Sequence, residues 1–131
     1  MRKNIDQTEE TTRAKAEQHD MLYPILNSVF HEIKELSKKK QDGPLNAMKV
    51  KMTNRILSKV KAYLTDDPTL EFLDLLDEEV FPTNSDAVLI IAQFKAAMDQ
   101  FKDRHYGYDN GELMWNISED SEEDDEQDNG G

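Results

Sequence analysis

The stretch "SDAVLIIAQFKAAMDQF", from Ser85 to Phe101, is the most informative about the fold class. Its apolar residues recur every three to four positions, which places them along one side of a helix. The members of this seam are Ala87, Ile91, Phe94, Met98 and Phe101. The pattern predicts a coiled-coil-like helix over residues 85–106, closed by Gly107. Because a small body must cover such a seam, we expect these five residues to form the interface of a homo-oligomer.

Three more helices are predicted upstream, over about residues 22–40, 44–64 and 68–79. Apolar residues repeat at helical spacing from Leu22 onward, and Pro24 fits the first turn of the helix that begins there. Asp67 and Pro68 form a good start for the third helix, as N-cap and first position. No strand pattern competes with these helices. The sequence therefore predicts an all-α fold, a compact body of about four helices within residues 20–106.

Both ends of the chain differ from this body. Residues 1–19 are polar and show no apolar period, so we expect a mobile polar arm. Residues 107–131 are predicted to form a disordered acidic tail. A short apolar motif in this tail is predicted to dock on a partner protein. It consists of Leu113, Met114, Trp115 and Ile117.

Charge is sorted along the chain, whose formal net charge is -12. Residues 107–131 hold ten of the 28 acids and no Lys or Arg, which leaves 18 acids against 16 bases in residues 1–106. Within that body, residues 38–61 hold eight bases and one acid, whereas residues 66–86 hold eight acids and no base. Such an uneven distribution of charge along the chain bears mainly on which partners the protein can bind.

The basic segment predicts a nucleic-acid interface. Lys51, Arg55 and Lys59 recur at a spacing of four and form a ridge along the second helix. Lys and Arg can follow phosphates, and Asn54 can contact a base edge. The predicted DNA-binding residues are Lys38, Lys39, Lys40, Lys49, Lys51, Asn54, Arg55, Lys59 and Lys61. The alternative is a helix face that is only solvated or paired with the acidic segment.

The sequence offers no chemistry for catalysis. It contains no cysteine, and its three histidines are not placed at metal-binding spacing. Its glycines are scattered rather than gathered in a phosphate-binding loop, and no nucleophile accompanies a base. We therefore predict no enzyme, no cofactor and no metal. With no run of eighteen apolar residues and no signal-peptide core, we also predict no membrane partner and a cytoplasmic location, that of the host if the protein is viral.

Several short stretches suggest a family. They are "ELS" at residue 35, "NRIL" at 54, "LLD" at 75, "SDAVLIIAQFKAAMDQFKD" at 85 and "YDNGEL" at 108. Over residues 35–113 the chain resembles the small terminase subunits of short-tailed, double-stranded DNA phages. In those proteins a late helix of the form D-x-x-I-L…A-L-x-x-[YF]-K-[ED] likewise precedes a "DNG" and an acidic tail.

The resemblance implies a viral DNA-packaging adaptor. Such a protein forms a ring, has no catalytic site, binds double-stranded DNA and recruits the large terminase subunit, which holds the ATPase and nuclease activities. Two other functions remain open: an acidic inhibitor that mimics nucleic acid and binds a host enzyme, and a plain helical protein–protein adaptor. A mimic is expected to spread acid over its folded surface, whereas ten of the 28 acids here lie in the predicted tail.

Overall fold

The computed structural model describes residues 2–118, and helices dominate this part of the chain. The helices are α1 (Arg13–Lys39), α2 (Ala47–Tyr63) and α3 (Asn84–His105), and they are followed by a hairpin of β1 (Tyr106–Asp109) and β2 (Glu112–Trp115). Two short 3-10 turns cover Ile5–Gln7 and Pro68–Phe72. Helix α1 packs against both α2 and α3, and the apolar core lies among the three. A mostly helical body is confirmed, but the all-α fold of four helices is wrong.

Each α-helix begins at a polar side chain that caps it. Thr12 accepts a hydrogen bond from the amide of Lys15 at 3.1 Å, and Asn46 accepts one from the amide of Lys49 at 2.8 Å. Thr83 caps α3 in the same way. Side-chain oxygens at this position satisfy amides that lack a partner within the helix. Helix α1 therefore starts at Arg13 rather than near residue 22, and Pro24 lies in its interior rather than in its first turn.

The N-terminal segment is packed, so the predicted mobile arm is wrong for residues 2–19. The amide of Tyr108 donates to the Lys3 carbonyl, and the amide of Thr11 donates to the Asn116 carbonyl, both at 2.9 Å. Gly107 makes this approach possible, because a Cβ at that position would lie 2.7 Å from the Lys3 carbonyl oxygen. The remainder of the predicted arm, up to residue 19, forms the first turns of α1.

The hairpin replaces the start of the predicted tail. Asn110 and Gly111 have φ of 53° and 84°, and they join two strands in which Asp109 pairs with Glu112. An Asn-Gly pair favours this left-handed two-residue turn, because both positions need positive φ. The prediction of a tail beginning at residue 107 is therefore wrong up to residue 118. Its disorder over residues 119–131 lies outside the described part.

The predicted third helix is also wrong. We name residues 66–82 the strap: after the 3-10 turn it has no regular structure, and it is hydrogen-bonded to α2 at Leu73, Leu76 and Glu78. Its buried anchors are Leu73 and Leu76, at 1% and 3% exposure. Side chains of α2 bind the backbone at both anchors, which satisfies groups that a helix would otherwise satisfy internally. Tertiary contacts thus override the local preference for a helix.

The apolar seam of α3 lies inside the chain's own core. Its five residues are at most 3% exposed, and they belong to the same cluster as Leu26 and Leu57 of the two other helices. The seam therefore does not provide the oligomer interface. The predicted helix itself is placed correctly, because an apolar period reports burial whatever the partner is.

Candidate nucleic-acid interface

One side of α2 carries three exposed cations. Lys51, Arg55 and Lys59 lie one turn apart, and we name this ridge the basic face. Eight residues of helix separate its ends, or about 12 Å. Among residues 2–118, none of the three makes an ion pair or a side-chain hydrogen bond. The basic face therefore presents uncompensated positive charge to solvent.

The acidic strap leaves this charge unpaired although it runs beside α2. Of the strap's acids, Glu78 is hydrogen-bonded to α2, and its partner is the side-chain amide of Asn54 at 2.9 Å. Asp66 pairs with Lys15 of α1 at 3.6 Å, and Asp67 pairs with Arg104 of α3. Within the described residues, the acids of residues 66–86 therefore form no ion pair with the basic face.

Asn54 does not lie on the basic face, so its predicted contact with a base edge is wrong. It is 4% exposed and turned towards the strap. Its amide nitrogen donates to the Leu76 carbonyl, and its oxygen accepts from the Leu76 amide, both at 2.8 Å. Asn54 therefore holds the strap in place, and one step of about 100° around the helix separates it from Arg55.

The other predicted cations have different surroundings. Lys61 is half-buried and donates to the Leu73 carbonyl at 2.7 Å, so it is a strap contact rather than a free cation. Lys49 and Lys38 pair with Glu32 and Glu35, at 3.4 Å and 3.0 Å. Lys39 and Lys40 are exposed at the end of α1. Of the nine predicted residues, the structure brings Lys51, Arg55 and Lys59 together as one unpaired group.

Apolar side chains border the basic face, which sequence reasoning did not single out. Met48 and Met52, next to Lys51 on α2, are 71% and 56% exposed. The two α2 methionines also line a groove of about 230 Å³ between α1 and α2. Flexible methionines exposed beside a groove are typical of surfaces that bind proteins. The sequence signal for this apolar surface is the spacing of four residues between Met48 and Met52.

The predicted docking motif is largely occupied by the chain itself. The indole of Trp115 donates to Asp20 at 3.0 Å and packs edge-on against the His19 ring, with centroids 5.2 Å apart. Met114 and Ile117 are half-buried, whereas Leu113 is 42% exposed. Trp115 therefore fastens the hairpin to α1. Docking of this motif on a partner protein stays a prediction, with Leu113 as its most exposed member.

His19 is a buried titratable group whose environment shifts its pKa strongly. It is 3% exposed among the rings of Tyr23, Tyr63, Phe101 and Trp115. Its Nδ1 lies 2.8 Å from the Tyr63 hydroxyl. Burial lowers the pKa of His19 to about 4, because the charged imidazolium loses hydration there. Burial likewise raises the pKa of Tyr63. Both groups are neutral near pH 7, and their bond stabilises the junction of α1, α2 and α3.

A polar cavity of about 370 Å³ opens near the N-terminus of α1. Four of the charged groups around it form two ion pairs: Lys15 with Asp66, and Arg104 with Asp67. Hydrogen bonds from Thr69 and Arg104 lower the pKa of Asp67 despite the opposing effect of its burial. His105 also lines the cavity, with Nδ1 at 2.8 Å from the Glu9 carbonyl. These groups support the structure around the cavity through mutual bonds.

Two other types of feature are absent from residues 2–118. Across residues 2–118, no three His, Asp or Glu side chains gather closely enough to hold a metal ion. None of the helices in this range has the length and apolar character needed to cross a membrane. Comparison with known proteins finds no match among protein families, curated proteins or solved structures.

Proposed function

We propose that this chain is a DNA-binding adaptor with no catalytic centre of its own. The small terminase subunits that it resembles are adaptors of this kind. The observation that supports this proposal is the basic face. Lys51, Arg55 and Lys59 stay exposed and unpaired within residues 2–118, although the neighbouring strap holds seven acids. Pairing such exposed cations would change stability little, whereas a polyanion-binding surface needs them free.

The geometry fits binding to the phosphate backbone rather than the reading of bases. The face is about 12 Å long, and the phosphates of one B-DNA strand follow each other every 3.4 Å or so along the axis, so it spans roughly three to four of them. Lys and Arg contacts to phosphate orient a protein on the duplex but carry no sequence information. With Asn54 bound to the strap, this face has lost its predicted base-reading residue. Binding through α2 is therefore expected to be largely independent of sequence.

The ring and the recruitment of a large terminase subunit stay predictions that rest on the resemblance. The seam of α3 is buried in the core and Trp115 packs on α1, so we expect an assembly to form mainly through other surfaces. A second candidate function, a protein–protein adaptor, is favoured by a different observation. Met48 and Met52 are exposed beside a groove, which suits an apolar partner better than DNA.

The test removes the three charges together. The combined Lys51→Ala, Arg55→Ala and Lys59→Ala variant is compared with the parent by fluorescence anisotropy on a labelled duplex, from low to moderate salt. Each phosphate contact contributes roughly 0.9 to the log–log salt slope, so the slope should fall by about three units. Circular dichroism should show unchanged helix content.

A matched control separates local contacts from net charge. Lys3→Ala, Arg13→Ala and Lys34→Ala remove three exposed cations that lie outside α2. This control is expected to keep most of the affinity and the salt slope. Equal losses in both triple variants, or a parent that binds no duplex at low salt, rule out the basic face as a DNA-binding surface. If the parent chain binds no DNA but still binds a protein partner, the result favours the second candidate, a protein–protein adaptor.

A further inference from the structure

We propose that the acidic segment 119–131 folds back onto the basic face of the same chain and competes there with DNA. This inference rests on the proposed function, since it assigns a regulator to the same site. It concerns a segment outside the described residues, and three features of the described part and the sequence argue for it: where the segment begins, how far it can reach, and its charge.

The segment begins beside the N-terminus of α1. The amide of Ser118 donates to the Thr11 carbonyl at 2.9 Å, which holds the end of the described chain at the start of α1. Ser118 and Lys15 line the same cavity, and Lys15 also lines a neighbouring cavity together with Lys59. Ser118 and Lys59, the last cation of the basic face, therefore each line a cavity with the same side chain, Lys15.

The segment is long enough. Thirteen residues follow Ser118 in the sequence. A chain of that length spans at most about 43 Å when fully extended, at about 3.3 Å per residue. The basic face itself is only about 12 Å long. The extended segment is therefore more than three times as long as the basic face.

The charges are complementary and unpaired on the side that the structure describes. Residues 119–131 hold eight acids and no base. Lys51, Arg55 and Lys59 have no ion-pair partner among residues 2–118. Attachment through a short linker raises the local concentration of the segment to the millimolar range. If the isolated segment bound the face with a dissociation constant of about 0.1 mM, tethering would therefore weaken DNA binding by roughly tenfold.

Docking is tested first without DNA, in the full-length chain. Because the sequence contains no cysteine, Gly130→Cys provides a single site for a spin label. The expected result is enhanced relaxation of the amide signals of residues 51–59, which disappears at high salt. It should also disappear when Lys51→Ala, Arg55→Ala and Lys59→Ala are combined with the label. Relaxation confined to other residues, or none at all, overturns the proposal.

A mixed sample identifies which chain supplies the segment. Spin-labelled chains without isotope are mixed with unlabelled, isotope-enriched chains, so that relaxation reports only contacts between copies. No effect is expected at residues 51–59. If the relaxation in this mixed sample equals that in chains carrying both the spin label and the isotope, the segment contacts a second copy, and docking within one chain is overturned.

The effect on DNA is measured with a variant of unchanged length. Its eight acids are replaced by the corresponding amides, Asp by Asn and Glu by Gln. At low salt this neutral segment should tighten duplex binding by about tenfold, as the local-concentration argument requires. The gain should vanish when the basic face is neutralised as well. If DNA binds both chains equally, the proposal fails while the DNA-binding function stands. If neither chain binds DNA, that function fails, and the spin-label result still decides whether the segment docks.

Discussion

Removing the Asn54 side chain is expected to weaken the fold without touching the basic face. The Asn54→Ala variant loses two buried hydrogen bonds, both to the backbone of Leu76 at 2.8 Å. It leaves the Leu76 amide and carbonyl without these partners at a residue that is 3% exposed. A third bond, to the exposed carboxylate of Glu78, contributes little because water replaces it readily.

The magnitude follows from those two orphaned groups. A buried backbone group left without its partner costs about 1–3 kcal/mol, and water entering the space left by the amide holds the cost towards the lower end. Two such groups give about 2–4 kcal/mol. Alanine is the better helix former by roughly 0.6 kcal/mol, which offsets part of the loss. We therefore expect the free energy of unfolding to fall by about 2–3 kcal/mol.

Urea unfolding measures this change, with the fluorescence of the single tryptophan, Trp115, as the signal. With a slope of about 2 kcal/mol per molar urea, the midpoint should fall by roughly 1–1.5 M at unchanged slope. Ser58→Ala, at an exposed position of the same helix, is the control and should shift the midpoint little. A loss below about 0.5 kcal/mol in Asn54→Ala, within the range of ordinary surface changes, would refute the role of Asn54 as the strap's anchor.

Two further predictions concern other parts of the fold. Gly107→Ala places a Cβ 2.7 Å from the Lys3 carbonyl, so residues 2–12 should detach from the hairpin, with faster hydrogen exchange at the Tyr108 amide as the readout. Unchanged exchange would contradict this steric argument. The second is a pH dependence: the pKa of His19 is about 4 in the folded chain against 6.5 normally, because burial outweighs the nearby carboxylates of Asp20 and Asp99. The unfolded chain therefore takes up the proton first, and stability should fall by up to about 3 kcal/mol as the pH drops from 6.5 to 4. A His19→Gln variant should lose this part of the slope in denaturant titrations at several pH values.

The sequence predicted the helices well wherever their apolar period was continuous. The third α-helix begins at Asn84, one residue from the predicted start, because the seam from Ala87 to Phe101 repeats without interruption. The same period could not reveal that the seam packs within the chain. Periodicity shows that a face is buried, whereas the partner depends on how the other helices are placed.

The errors share a physical cause, which is competition from bonds between distant residues. The strap has a helical pattern, but Asn54 and Lys61 take up its backbone groups and leave only a 3-10 turn. The N-terminal residues show no apolar period, yet the hairpin binds their backbone. Asn110-Gly111 is a local sequence signal for a hairpin turn. The acidic composition around it nevertheless led to the prediction of a disordered tail.

The strap-facing side of α2 contributes to stability, and its solvent-facing side is proposed to contribute to DNA binding. Asn54 and Lys61 face the strap, whereas Arg55 and Lys59 face solvent, so neighbouring positions serve structure and binding respectively. A variant of the strap-facing edge should therefore lower stability and leave the salt slope of DNA binding intact. Neutralising the solvent-facing edge should do the reverse, because those side chains have no partner among residues 2–118 to lose. If both kinds of variant changed both properties together, the charges on α2 would belong to the structure, and the proposed DNA-binding function would lose its main support.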